Sequence, residues 1–107
     1  MELNKDYTDR TYGRIYWNSL KEFDLSIGEG SLMALIEGLS KKWGHSTATE
    51  KYMSNKLNAS QPTIDSWLLT LLEKELIEGR GKDPFYRTNR YAPTQKWNEF
   101  IKEMKRT

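Results

Sequence analysis

Apolar residues recur along this chain in series with helical spacing. Leu32, Leu35, Ile36 and Leu39 form one series, and Ile64, Trp67, Leu68, Leu71 and Leu72 a second, with Glu75 following on the same helix. Trp97, Phe100, Ile101 and Met104, at i, i+3, i+4 and i+7, form a third. Each predicts an amphipathic helix with one stripe turned to a core. "STATEKYMSNKLN" (46–58) predicts a shorter, more polar helix with Tyr52 or Met53, together with Leu57, facing inward. Beyond Leu76–Ile77 the pattern becomes strand-like. "GRGKDP" (79–84) has hairpin-loop composition, and "YRTNRYAP" (86–93) is the return strand, closed by Pro93. Near the start, "YGRIYWNSLKEF" (12–23) predicts a short strand or extended arm, with Tyr12, Arg14 and Tyr16 on one face and Ile15 and Trp17 on the other. Residues 1–11 are polar and are expected to be ordered only by docking.

Polar punctuation sets the ends of these elements. "SIGE" (26–29) is a capping box, in which Ser26 and Glu29 satisfy each other's backbone N–H groups. Gly28, Gly30 and Gly38 lower the propensity of the helix that follows, so it depends on packing. It should stop near "KKWGH", with Lys41 and Lys42 in its last turn and Gly44 as its cap. Thr47 or Thr49 can cap the second helix. In "NAS", Asn58 suits a left-handed turn, Ala59 can be buried, and Ser60 is a good N-cap for a helix with Pro62 in its first turn.

A short helix, a three-residue turn and a Ser-capped helix make a helix-turn-helix, and a β-hairpin behind it makes the unit winged. The expected class is mainly α with a small β-hairpin, in three parts: an arm (1–14), a winged helix-turn-helix (15–93) and an appended helix (94–107). At Leu25–Ser26, Met53/Leu57/Ser60, Thr63/Ile64/Leu68/Leu71, Leu76–Ile77 and Arg87/Asn89/Tyr91 the sequence resembles the winged helix-turn-helix domains of phage and plasmid replication initiators and related phage regulators. The resemblance covers about residues 15–93, and it departs at Glu75, where the family often has glycine.

The resemblance implies binding to double-stranded DNA, with helix 61–74 in the major groove and the 79–90 wing on the backbone. Ser60, Gln61, Thr63, Asp65, Ser66 and Thr70 then belong to the recognition helix or its cap, Lys51 to the bracing helix, and Arg80, Lys82, Arg87 and Arg90 to the wing. Gln61 suits adenine, Thr63 or Ser66 a phosphate or base edge, and Asp65 can accept from cytosine N4 although phosphates repel it. Leu69 and Leu72 make the third helix's apolar arc wider than one core contact needs. They, with Trp97, Phe100, Ile101 and Met104, are the candidate contacts for a homodimer or other partner. A rival reading keeps the fold and gives it a host protein to bind. A third stacks single-stranded bases on Tyr12, Tyr16, Phe85 or Tyr86.

Composition narrows this further. The 107 residues suit one domain, and 4 Trp, 6 Tyr and 3 Phe supply core area despite 30% charged residues and a mean hydropathy of -0.84. Net charge is only +2, so a basic surface must come from arrangement rather than from excess. With no cysteine there is no disulfide or thiolate chemistry. With one histidine, His45, no transition-metal site is expected. No phosphate loop and no nucleophile–histidine context stands in the sequence, so neither enzymatic activity nor a cofactor is expected. The sequence carries no membrane-length apolar run and no signal-peptide core, and the expected location is the cytoplasm, that of the host if a phage encodes the protein.

Overall fold

The computed structural model describes residues 17–41, 44–82 and 88–106. Its elements, in order, are α1 (Trp17–Glu22), α2 (Ile27–Ser40), α3 (Glu50–Leu57), α4 (Gln61–Glu73), β1 (Ile77–Lys82), β2 (Asn89–Pro93) and α5 (Gln95–Arg106). This is a winged helix-turn-helix of the α+β class. Among the described residues no helix is long and apolar enough to cross a membrane.

The first element differs from expectation. Residues 17–22 form a helix, where alternation of aromatic and polar residues predicts a strand. Ser19 is buried, and Leu20 and Phe23 pack against the core, so the inward positions follow helical spacing. Trp17 is 64% exposed. Tyr12, Arg14, Ile15 and Tyr16 lie outside the described residues.

α2 is the central helix. Its capping box is closed both ways: the Glu29 N–H donates to Ser26 Oγ at 3.1 Å and the Ser26 N–H donates to Glu29 Oε1 at 2.9 Å. Leu32, Met33, Ala34, Leu35 and Ile36 are consecutive and all buried, a pattern of enclosure rather than of amphipathicity. Two of its glycines let neighbours come close. A Cβ on Gly28 would stand 2.2 Å from the Trp67 ring of α4, and one on Gly30 2.3 Å from Leu20 of α1. α2 ends at Ser40, so Lys41 is its cap rather than part of its last turn, and Lys42 lies outside the described residues. Gly44 does turn the chain, with φ +81° and its N–H donating to Ser40 O at 2.7 Å.

Thr49, not Thr47, caps α3, and its hydroxyl accepts the Tyr52 N–H at 3.0 Å. Met53 takes the buried position while Tyr52 is exposed. Asn58 is left-handed (φ 54°), and the Ser54 hydroxyl donates to the carbonyl of Ala59. Ser60 caps α4, accepting from the Thr63 N–H at 3.3 Å, and α4 buries Ile64, Leu68 and Leu71. Glu75 is not part of α4. It takes φ 61°, with its N–H on Leu72 O and the Leu76 N–H on Leu71 O, both 3.0 Å, which is a Schellman stop with buried Leu76 packed as its hydrophobic partner. The same bond from the sixth residue to the first closes α1 (Leu25 N–H to Leu20 O, 2.8 Å) and α3 (Ala59 N–H to Ser54 O, 3.0 Å). In these three stops the left-handed residue is Asp24, Asn58 or Glu75, never glycine.

β1 and β2 are antiparallel, with Ile77 opposite Pro93, Glu78 opposite Ala92 and Gly79 opposite Tyr91. Register slips before Lys82 meets Asn89, and Gly81 absorbs the irregularity with φ +75°. Gly79 to Lys82 are therefore strand, where their composition predicts loop. Their pairing uses backbone groups, and residues 78–82 are all exposed, so no apolar alternation marks them. Phe85, Tyr86 and Arg87 lie outside the described residues. The link between α2 and α3 adds a one-residue third strand: Ser46 exchanges backbone bonds with Tyr91 at 2.7 and 3.1 Å, and Thr88 Oγ1 donates to Thr47 O at 2.9 Å.

α5 closes the core from below. Trp97 is 1% and Ile101 7% exposed, and Phe23, Trp97 and Phe100 form an aromatic trio with centroids 5.0 to 6.1 Å apart. Offering Trp97 and Ile101 to a second copy is thereby corrected, because their surface is already spent within the chain. The start of α5 is fixed to the stop of α4. Thr94 donates to Leu76 O through its N–H (3.0 Å) and to Glu75 O through its hydroxyl (2.6 Å), and Lys96 Nζ donates to Lys74 O (2.8 Å).

Candidate nucleic-acid interface

Helical periodicity turns one stripe of α4 away from the core. Gln61, Pro62, Asp65, Ser66, Leu69 and Glu73 are exposed, opposite buried Ile64, Leu68 and Leu71. Among the expected reading residues, three hydroxyls already have partners within the helix. Ser60 Oγ and Thr63 Oγ1 lie 2.8 Å apart, and Thr70 Oγ1 donates to Ser66 O at 3.2 Å. Gln61, Asp65 and Ser66 remain as the polar side chains at the front of the stripe. Leu69, 56% exposed, shares this face and is absent from the core, whereas Leu72 is half-buried against it.

The flanking cations are unequal. Lys51 is exposed on α3, and Lys56 stands over the Tyr52 ring at 5.5 Å. Lys82 is exposed at the end of β1. Arg90 lies across the bulge, its Nη2 3.7 Å from where a Gly81 Cβ would stand, and its Nε is buried with no hydrogen-bond partner among the described residues. Arg80 is committed to its neighbour: its Nε is 2.7 Å from Glu78 Oε2, a pair that cancels most of its charge toward a polyanion.

Sequence reasoning missed Glu50. It stands in the first turn of α3, where the helix dipole favours a carboxylate, yet its pKa is raised above 4.5. The largest cause is a hydrogen bond with Asp65 across the α3–α4 elbow, followed by burial and then by the Asp65 charge. Two carboxylates thus lie close enough to interact at the α3–α4 elbow, and Asp65 is on the face expected to bind DNA. Glu50 also lines a cleft of about 230 Å³ between the head of α3 and the wing, with Thr49, Lys82, Asn89 and Tyr91. Burial raises the Tyr91 pKa, a hydrogen bond with Asn89 opposes the rise, and the charges of Glu50 and Asp65 add to it. Nothing in the spacing of Glu50 and Asp65 points to this pairing, which depends on the angle between two helices. Among the described residues no group of three or more His, Cys, Asp or Glu could hold a metal ion.

No family model matches the sequence, and no curated protein does. Among solved structures it is similar in fold to the crystal structure of transcriptional regulator PA4135, at 14% identity and a TM-score of 0.57, covering 96% of this chain and 69% of that one.

Proposed function

We propose that this protein is a small DNA-binding regulator that lays α4 in the major groove and its wing along the backbone. The observation that carries the reading is the Ser60-capped α4, held by its buried face while Gln61, Asp65 and Ser66 are exposed, with exposed lysines also on α3 and at the end of β1. The similarity in fold to a transcriptional regulator supports it, and the sequence resemblance to phage initiators and regulators points to phage or mobile-element DNA. In this reading Lys51, Lys56, Lys82 and Arg90 neutralise phosphates, and Gln61 and Asp65 discriminate bases.

The test is fluorescence anisotropy with a labelled duplex over increasing salt. Four phosphate contacts release counterions with a slope of log K against log salt of about -3.6. Affinity that is flat in salt would overturn the reading. One observation favours the rival, a winged helix that grips a host protein: Asp65, with Glu50 close to it, places negative charge on the recognition face while Glu78 holds Arg80. Flat salt dependence together with loss of partner binding on Leu69→Ala would establish that rival.

A further inference from the structure

On the α1–α5 side of the molecule a groove of about 500 Å³ runs between the two helices. Phe23, Phe100 and Met104 supply its apolar surface, and Glu22, Glu99 and Glu103 its edge. Phe23 and Phe100 meet edge to face at 5.0 Å, and Asn18 Nδ2 reaches Met104 Sδ at 3.3 Å, so the walls are held by contacts of their own. Lys96 is the basic residue of the lining, and its ammonium is held at one end, donating to Lys74 O at 2.8 Å above the Phe23 ring. Glu99 accepts from the neutral amide of Gln95 at 2.9 Å, and neither Glu22 nor Glu99 makes an ion pair among the described residues. The groove therefore joins an apolar floor to an edge of net negative charge, three carboxylates against the one ammonium of Lys96. It also begins at the C-terminal end of α4, about 20 Å along that helix from Gln61 at 1.5 Å per residue, so an occupant leaves the front of the stripe, around Gln61, open.

We propose that this groove is a docking site for a basic amphipathic segment of a partner protein, one that seats apolar side chains on Phe23, Phe100 and Met104 and sets Lys or Arg against Glu22 and Glu99. A helix in a hydrophobic groove anchors through residues at i, i+3 or i+4 and i+7, and charges at the edge choose between partners of similar apolar content. An acidic segment is repelled, and DNA has no reason to approach. The site goes beyond DNA binding and gives the protein a second partner on a separate surface.

The experiment uses the full chain and two labelled helical peptides of about 14 residues, with the same leucines at i, i+4 and i+7 and either arginine or glutamate at the flanking positions. Anisotropy should show binding of the arginine peptide alone, weakened about tenfold by Glu22→Gln with Glu99→Gln, the equivalent of about 1.4 kcal/mol. The duplex-DNA affinity of that variant should stay unchanged, which separates failure of this proposal from failure of the DNA reading. Equal binding of both peptides, or no effect of the double substitution, overturns the proposal. Two further outcomes would also overturn it by naming another occupant. Self-association that disappears in the double variant would make the groove a contact between copies, and peptide binding that appears only after removal of residues 1–16 would assign it to the chain's own amino-terminal segment.

Discussion

Replacing Glu75 with glycine alters the backbone cost at the point where α4 stops and leaves the surrounding contacts in place. Glu75 is exposed and holds φ 61°, a conformation that costs an L-residue about 1–2 kcal/mol because Cβ crowds the carbonyl. Glycine removes that cost but gives back about 0.5–1 kcal/mol through its freer unfolded chain. The bonds that define the stop are made by backbone groups, from Glu75 N–H to Leu72 O, Leu76 N–H to Leu71 O and Thr94 Oγ1 to Glu75 O, so they persist in the variant. The net gain should be about 0.5–1 kcal/mol, or about 2–6 °C in Tm for a domain of this size. Glu75→Ala is the control, since it removes the carboxylate and retains Cβ, and it should lie within about 0.5 kcal/mol of the parent. Urea unfolding followed by circular dichroism gives both values at constant m. If glycine is no more stable than alanine, position 75 carries no left-handed penalty and the account of how α4 ends is wrong.

Gly28→Ala should destabilise by about 1–3 kcal/mol despite alanine's better helix propensity, because its methyl would enter the Trp67 ring, and a Trp67→Leu background should recover most of the loss in the same melts. Glu50→Gln should change the pH dependence of stability. The folded chain holds the Glu50 proton more tightly than the unfolded chain, so native stability falls as pH rises through the window from 4.5 up to the raised value. The variant should be the more stable protein at neutral pH and equal to the parent below that window, and parallel curves of denaturation midpoint against pH would count against the Glu50–Asp65 contact. Asp65→Lys should raise affinity for non-specific duplex in the salt titration, whereas an unchanged affinity would mean that α4 does not approach phosphate. Gln61→Ala should blur discrimination at one base pair, and equal weakening across all sequences would remove its reading role.

The parts of the fold legible in the sequence were those written in local chemistry. Ser26 with Glu29, Asn58 and Ser60 with Pro62 each state a backbone geometry within a few residues, and α2, α3 and α4 begin or turn at those positions. Helical spacing likewise identified Ile64, Leu68, Leu71, Trp97 and Ile101 as inward, although it could not say whether the surface they meet is their own chain or another. Features set by long-range geometry were hidden. Helix α1 is too short to repeat its period, the strand character of Gly79–Lys82 lies in backbone pairing with β2, and Glu50 meets Asp65 only because two helices cross. Glu75 was legible as a departure from the glycine that the resemblance leads one to expect, and its left-handed backbone shows an L-residue holding the bend.

The bonds from Thr94 and Lys96 to the carbonyls of Glu75 and Lys74, in the turn that ends α4, have a mechanical consequence. They tie the root of α5 to the turn that ends α4, so the spacing between those two helix ends is set by backbone acceptors rather than by side-chain packing alone. Cutting either bond would loosen the junction where α4 ends and α5 begins before it disturbed the buried faces of the two helices.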